Sequence, residues 1–166
     1  MILELLLKGC WSGIAGVGFA ILFNVPRRTL LPIGIMGAVG GITKFATMLL
    51  GLNIVLASFL GATAVGIISI QMAHMKKSPP LVFSIPGVIS MVPGAFAYRM
   101  MLGLMALINQ EDTDAYLQAL IEMVNNGAKM IFILLSLAIG VAMPMLITRK
   151  ESIKRSAYNK KNAPIA

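Results

Sequence analysis

Three groups of residues in this 166-residue chain have types and spacing that carry chemistry. The first is Lys44, the one charge between Leu30 and Leu50. The second is the pair of Pro-Gly steps in Ser84–Arg99, Pro86-Gly87 and Pro93-Gly94. The third is Arg99, which follows the second step. In a helix, Pro86 would free the carbonyl of Val82 and Pro93 that of Ile89, because proline has no N–H to donate. Seven helical steps of about 100° return Pro93 nearly to the azimuth of Pro86, with Ser90 on the same stripe. Such a stripe combines freed carbonyls, a hydroxyl and glycine-exposed backbone. At membrane depth that is tolerated only under a cover of protein or facing a water-lined cavity. Transporters use broken helices of this kind at their substrate sites. A kinked helix that only packs is the other reading of the same residues.

The remaining chemistry is sparse. One histidine (His74), one cysteine (Cys10) and no pair of carboxylates within the apolar runs leave nothing at metal-ligand or nucleophile–base spacing. The glycines form no phosphate-binding loop ending in Lys-Ser or Lys-Thr. The chain therefore reads as a non-enzyme, with no metal and no cofactor. A net charge of +8 raises nucleic acid as a partner. The cations lie in short gaps and in the tail, with no aromatic-interleaved basic face, so nucleic-acid binding is not expected. The 13 methionines read as flexible filling.

The elements that must position these residues are membrane spans. Apolar residues make up 58% of the chain and charged residues 12%, too few to coat a soluble surface. The apolar runs approach twenty residues, about the length a helix needs to cross the bilayer core. Five spans are predicted: Leu5–Phe23, Leu30–Leu50, Ile54–Met72, a long proline-interrupted Leu81–Ile108, and Ala128–Ile147, the last preceded by an amphipathic stretch, Ala115–Asn126. The fold class is thus an all-α polytopic bundle, with residues 1–148 as the membrane domain and 149–166 as a basic tail. The N-terminal segment lacks the basic start of a secretory signal and reads as a retained first helix. Arg27 and Arg28, Lys76 and Lys77, and the basic tail fall on one side of such a five-span chain. The Gly51 link and the acidic Glu111-Asp112-Asp114 loop fall on the other. Positive-inside bias then predicts the N-terminus outside and the tail in the cytoplasm.

Gly13 and Gly16, and Gly34, Gly37, Gly40 and Gly41, form smooth ridges suited to close helix packing. Lys44 lies too deep to snorkel easily and should face the bundle, since an ammonium there costs roughly 2.5–3.5 kcal/mol on insertion scales. It either attracts an anionic group on a solute or makes a headgroup or interhelix contact. The same two readings apply to Arg99. Lys8 reads as a snorkelling residue. Glu122 and Lys129 meet only across a bend. Asn24-Val25-Pro26 with Arg27 and Arg28 reads as a turn carrying topology charges.

Gly18-Phe19-Ala20, Phe23-Asn24-Val25-Pro26 with Arg28, the glycine-rich second span, Gly66, and Met91-Val92-Pro93-Gly94-Ala95 with Ala97-Tyr98 together resemble the small-subunit members of the threonine/serine exporter family. The likeness covers most of residues 10–105. It implies a multi-pass secondary exporter of the bacterial inner membrane, in which a short chain works with a larger membrane subunit. Some members join both halves in one polypeptide. It further implies small carboxylate substrates, threonine and serine or succinate, and leaves self-association open. Pro93, Gly94, Ala97, Tyr98, Asn24 and Pro26 stand in the matching motifs, whereas Arg99 falls where the family pattern implies no basic residue. Combined with the residue chemistry, the expected substrate site is Lys44, Ser90, Pro93, Gly94, Tyr98 and Arg99. Asn24, Pro26, Pro86 and Gly87 are the expected gating or structural positions. A membrane scaffold that stabilises a transporting partner is the alternative.

Overall fold

A computed structural model describes residues 2–109 and 112–161. Six helices follow one another: α1 (Ile2–Leu22), α2 (Leu30–Leu49), α3 (Ile54–Lys76), α4 (Pro80–Ile89), α5 (Gly94–Asn109) and α6 (Thr113–Lys161), with a 3-10 turn at Arg27–Thr29 before α2. No strand occurs among the described residues. Four of the helices are individually long and apolar enough to cross a membrane, and α4 with α5 makes a fifth candidate span bent by 54°.

Local chemistry sets each boundary. Asn24 adopts a left-handed φ of 55°, and Pro26 accepts bonds from both the amide and the hydroxyl of Thr29 (2.9 and 2.7 Å), turning α1 into α2. Asparagine is among the few residues that adopt this conformation at modest cost. Gly51, at φ 85°, closes the short link between α2 and α3. α3 ends at Lys76 and is capped by Lys77, also left-handed, and Pro79-Pro80 starts α4, where a missing N–H costs nothing.

The glycine ridges bring backbones together. A β-carbon on Gly13 would lie 2.6 Å from the Gly34 carbonyl oxygen, and one on Gly61 would lie 2.9 Å from that of Gly40. These contacts seat α1 on α2 and α2 on α3. α4 is inserted against all three, placing Phe83 and Pro86 in a fully buried core with Ile33, Met36 and Val65. α6 runs parallel to α3: Gly140 abuts Phe59 and Ala62, and Gly66 abuts Val141 and Pro144. α5 packs antiparallel on the first part of α6, with Gly103 against Met123 and Gly127 against Met100.

The structure departs from the sequence expectations in two places. Pro86-Gly87 does not break the fourth span. Pro86 lies inside α4, and the helix continues through it to Ile89, clamped among α1, α2 and α3. Only Pro93-Gly94 breaks the chain. Nor is the carbonyl of Ile89 left free there, since it accepts the Val92 amide at 3.1 Å. The second departure is α6. The expected amphipathic stretch, fifth span and tail form one helix from Thr113 to Lys161, because no proline or glycine before Pro144 is placed so as to stop it. Glu111 of the acidic loop lies outside the described residues.

Candidate functional site

The break between α4 and α5 is where the polar groups of the bundle meet. Met91 and Val92 turn the chain, with amides bonded back to Val88 and Ile89 at 2.8 and 3.1 Å. Beyond this turn α5 begins at Gly94. A carbonyl at such a break lacks the partner that a continuing helix would supply. Lys44 supplies one: its Nζ donates to the Met91 carbonyl at 3.1 Å. The side chain is only 8% exposed and has no carboxylate partner among the described residues. An ammonium has three donors, and a single carbonyl answers one of them.

A second polar link joins the break to the first two helices. Ser12 on α1 donates its hydroxyl proton to the Gly37 carbonyl at 2.8 Å. The Ser90 hydroxyl lies 2.7 Å from the Ser12 oxygen, and with the Ser12 proton already committed, Ser90 is the donor. Ser12 is held in place by Gly41, where a β-carbon would stand 2.6 Å from Ser12 Cβ. Met91 itself is wedged between glycines: its Sδ and Cε lie 3.0 and 2.9 Å from where β-carbons on Gly61 and Gly40 would be. On α3, one turn before Gly61, the buried Ser58 hydroxyl has no hydrogen-bond partner among the described residues, and neither does that of Ser84 on α4.

The expected site residues therefore divide. Lys44 and Ser90 converge on the break, and Pro93 and Gly94 form it. Pro86 and Gly87 lie buried one to two turns earlier, Gly87 facing Met36 and Val65. Tyr98 and Arg99 stand exposed on α5, away from this cluster, with Tyr98 65% exposed. Asn24 and Pro26 occupy the exposed α1–α2 turn. Lys8 lies over the Phe45 ring at 5.1 Å, holding its charge near the end of the bundle. Sequence reasoning missed Ser12 and the Met91 carbonyl. Ser12 could have been found as the hydroxyl next to Gly13 on a small-residue ridge. A backbone carbonyl has no signal of its own in the sequence.

Comparison with known proteins places the chain. The family model described as "Threonine/Serine exporter, ThrE" matches residues 8–147. An uncharacterized protein of Haemophilus influenzae is 30% identical over 145 residues, which cover 87% of this chain and 48% of that protein. The chain thus spans about half the length of the curated relative it matches. No solved structure matches it.

Proposed function

This chain belongs to the threonine/serine exporter family, and from that premise we propose that it is one membrane half of a secondary transporter for small carboxylates, with Lys44 as the anion-binding group. The observation that carries this reading is the Lys44 ammonium at the α4–α5 break, bonded to the Met91 carbonyl and to no acid among the described residues. A carboxylate is a stronger acceptor for an ammonium than a neutral carbonyl. It would also lie near the N-terminal end of α5, where the helix dipole favours negative charge. Substrate would displace the Met91 carbonyl, releasing the α4–α5 hinge from α2, so that binding and movement of the break are one event. Threonine, serine and succinate all present such a carboxylate.

The half-length match to the relative supports a second membrane subunit that completes the pathway. The basic residues at 27–28, 76–77 and in the tail support a bacterial inner membrane location with the tail in the cytoplasm.

The test is loss of labelled threonine and labelled succinate from loaded cells expressing this chain with and without its candidate larger subunit. Efflux that needs both chains and disappears in Lys44→Met, with the protein still in the membrane, is the expected result. Unchanged efflux in Lys44→Met overturns the anion role. A scaffold function is the second reading, favoured by the tight glycine packing around Met91. It predicts that replacing Pro93-Gly94 by Ala-Ala leaves efflux by the complex intact.

A further inference from the structure

Hydroxyls along these helices bond back to their own backbone. Thr43, Thr47, Thr63, Ser69, Ser136 and Thr148 each donate to a carbonyl three or four residues earlier, at 2.7–2.9 Å. In apolar surroundings a hydroxyl without a partner costs free energy, and the preceding turn offers the nearest acceptor. Ser58 on α3 and Ser84 on α4 are fully buried, yet neither hydroxyl makes that bond or has another partner among the described residues. A fully buried hydroxyl that forgoes an available bond calls for an explanation.

Ser58 faces the α4–α5 break. Seven helical steps give it the azimuth of Val65 to within about 20°. Val65 is turned toward α2 and α4, its methyls 2.6 and 3.2 Å from where β-carbons on Gly40 and Gly87 would lie. Between the two on α3 is Gly61, whose β-carbon would lie 3.0 Å from Met91 Sδ and 3.3 Å from Lys44 Cβ. α4 thus runs antiparallel beside α3, with Gly87 by Val65 and Met91 by Gly61. One more turn of α4 would set a side chain opposite Ser58. Instead the chain bends away by 54°, and a β-carbon on Gly94 would meet nothing within 4 Å. On α6, one turn before Gly140, the Ser136 proton is committed to the Ile133 carbonyl and Leu137 is apolar. The break therefore leaves the Ser58 hydroxyl unanswered, one turn from the residue on which Lys44 and Met91 both pack.

We propose that Ser58 is a second substrate-binding residue, its hydroxyl donating to the carboxylate held by the Lys44 ammonium. This rests on the reading of Lys44 as the anion-binding group. The β-positions of Ser58 and Gly61, three residues apart on one helix, are about 5–6 Å apart. Charge-assisted bonds of about 2.7–2.9 Å from each donor let one carboxylate span a gap of that size. A carboxylate has about four lone-pair sites, more than one ammonium fills, so a second donor lowers the cost of taking it out of water. Ser84 is the internal contrast. It lies seven residues before Met91, about 10 Å along α4, and lines an apolar groove with Val88 and Leu137. An anion on Lys44 is out of its reach.

The test is counterflow of labelled threonine and labelled succinate, followed against concentration in vesicles holding the full chain with its larger subunit. In Ser58→Ala the half-saturating concentration of the transported label should rise about tenfold, the loss of one hydrogen bond to a charged group. The melting temperature without substrate should hold or rise, because alanine leaves no hydroxyl unpaired. Ser84→Ala should match it in stability and keep the wild-type half-saturation. Three results overturn Ser58. One is unchanged half-saturation in Ser58→Ala while Lys44→Met is inactive, which leaves the Lys44 reading standing. Another is a lowered melting temperature at unchanged half-saturation, which makes the hydroxyl a packing group. The third is an equal rise in Ser84→Ala, which shows that the effect does not belong to the Lys44 site. Transport unchanged in Lys44→Met, or neither label moved by the wild-type pair, overturns the Lys44 reading itself and Ser58 with it.

Discussion

At the scale of single residues, the bundle is organised around groups that apolar surroundings would otherwise exclude. Lys44 is retained at a cost of roughly 2.5–3.5 kcal/mol on insertion scales, and the Met91 carbonyl recovers only part of that. Lys44→Met should therefore leave thermal stability in detergent unchanged or raised by a few degrees, while efflux falls to background. A joint loss of stability and efflux would instead make Lys44 a structural residue. Ser12→Ala removes the link between Gly37 and Ser90. A hydrogen bond of this kind contributes about 1 kcal/mol net, so a small drop in melting temperature is expected. Gly41→Val acts on the same spot by steric means, since even a β-carbon would stand 2.6 Å from Ser12. It should lower the melting temperature well beyond the Ser12→Ala effect.

At the scale of elements, the two Pro-Gly pairs look alike in sequence and behave differently in the fold. Pro86-Gly87 is held by packing on three helices, so the loss of one helical hydrogen bond does not end α4. Pro93-Gly94 has a β-carbon's worth of open space at Gly94 and no such clamp, and the chain bends there by 54°. Replacing Pro93-Gly94 by Ala-Ala should restore an i→i−4 bond and straighten the joint. The change would appear as a larger distance between spin labels on α4 and α5, with efflux lost if the hinge moves during transport. The α3–α6 contact is equally local. Gly140→Leu would drive a side chain into the Phe59 carbonyl and Ala62 Cβ, both 2.8 Å from a β-carbon at that position. It should separate α6 from the bundle and reduce the amount of folded protein in the membrane.

At the scale of the whole molecule, the position of the basic residues predicts an orientation that labelling can check. With Cys10 first replaced by Ala, a single cysteine from Ser78→Cys should react with an impermeant reagent only after the cells are opened, and one from Asp112→Cys should react in intact cells. The reverse pattern would place the α5–α6 hairpin in the cytoplasm. What the sequence determined on its own was composition-driven: a helical membrane chain, the limits of α2 and the start of α3, the small-residue ridges, and Lys44 as a charge that must face inward. Each of these follows from the transfer cost of a residue or a short run into lipid, a local property that can be read one segment at a time. Only the tertiary structure decided which of the two prolines became the break, that Ser12 joins Ser90 across the bundle, that Tyr98 and Arg99 stand apart from Lys44, and that α5 packs back along the first part of α6. Those outcomes depend on which neighbours clamp a backbone or accept a proton, and the contacts involved join residues distant in the chain.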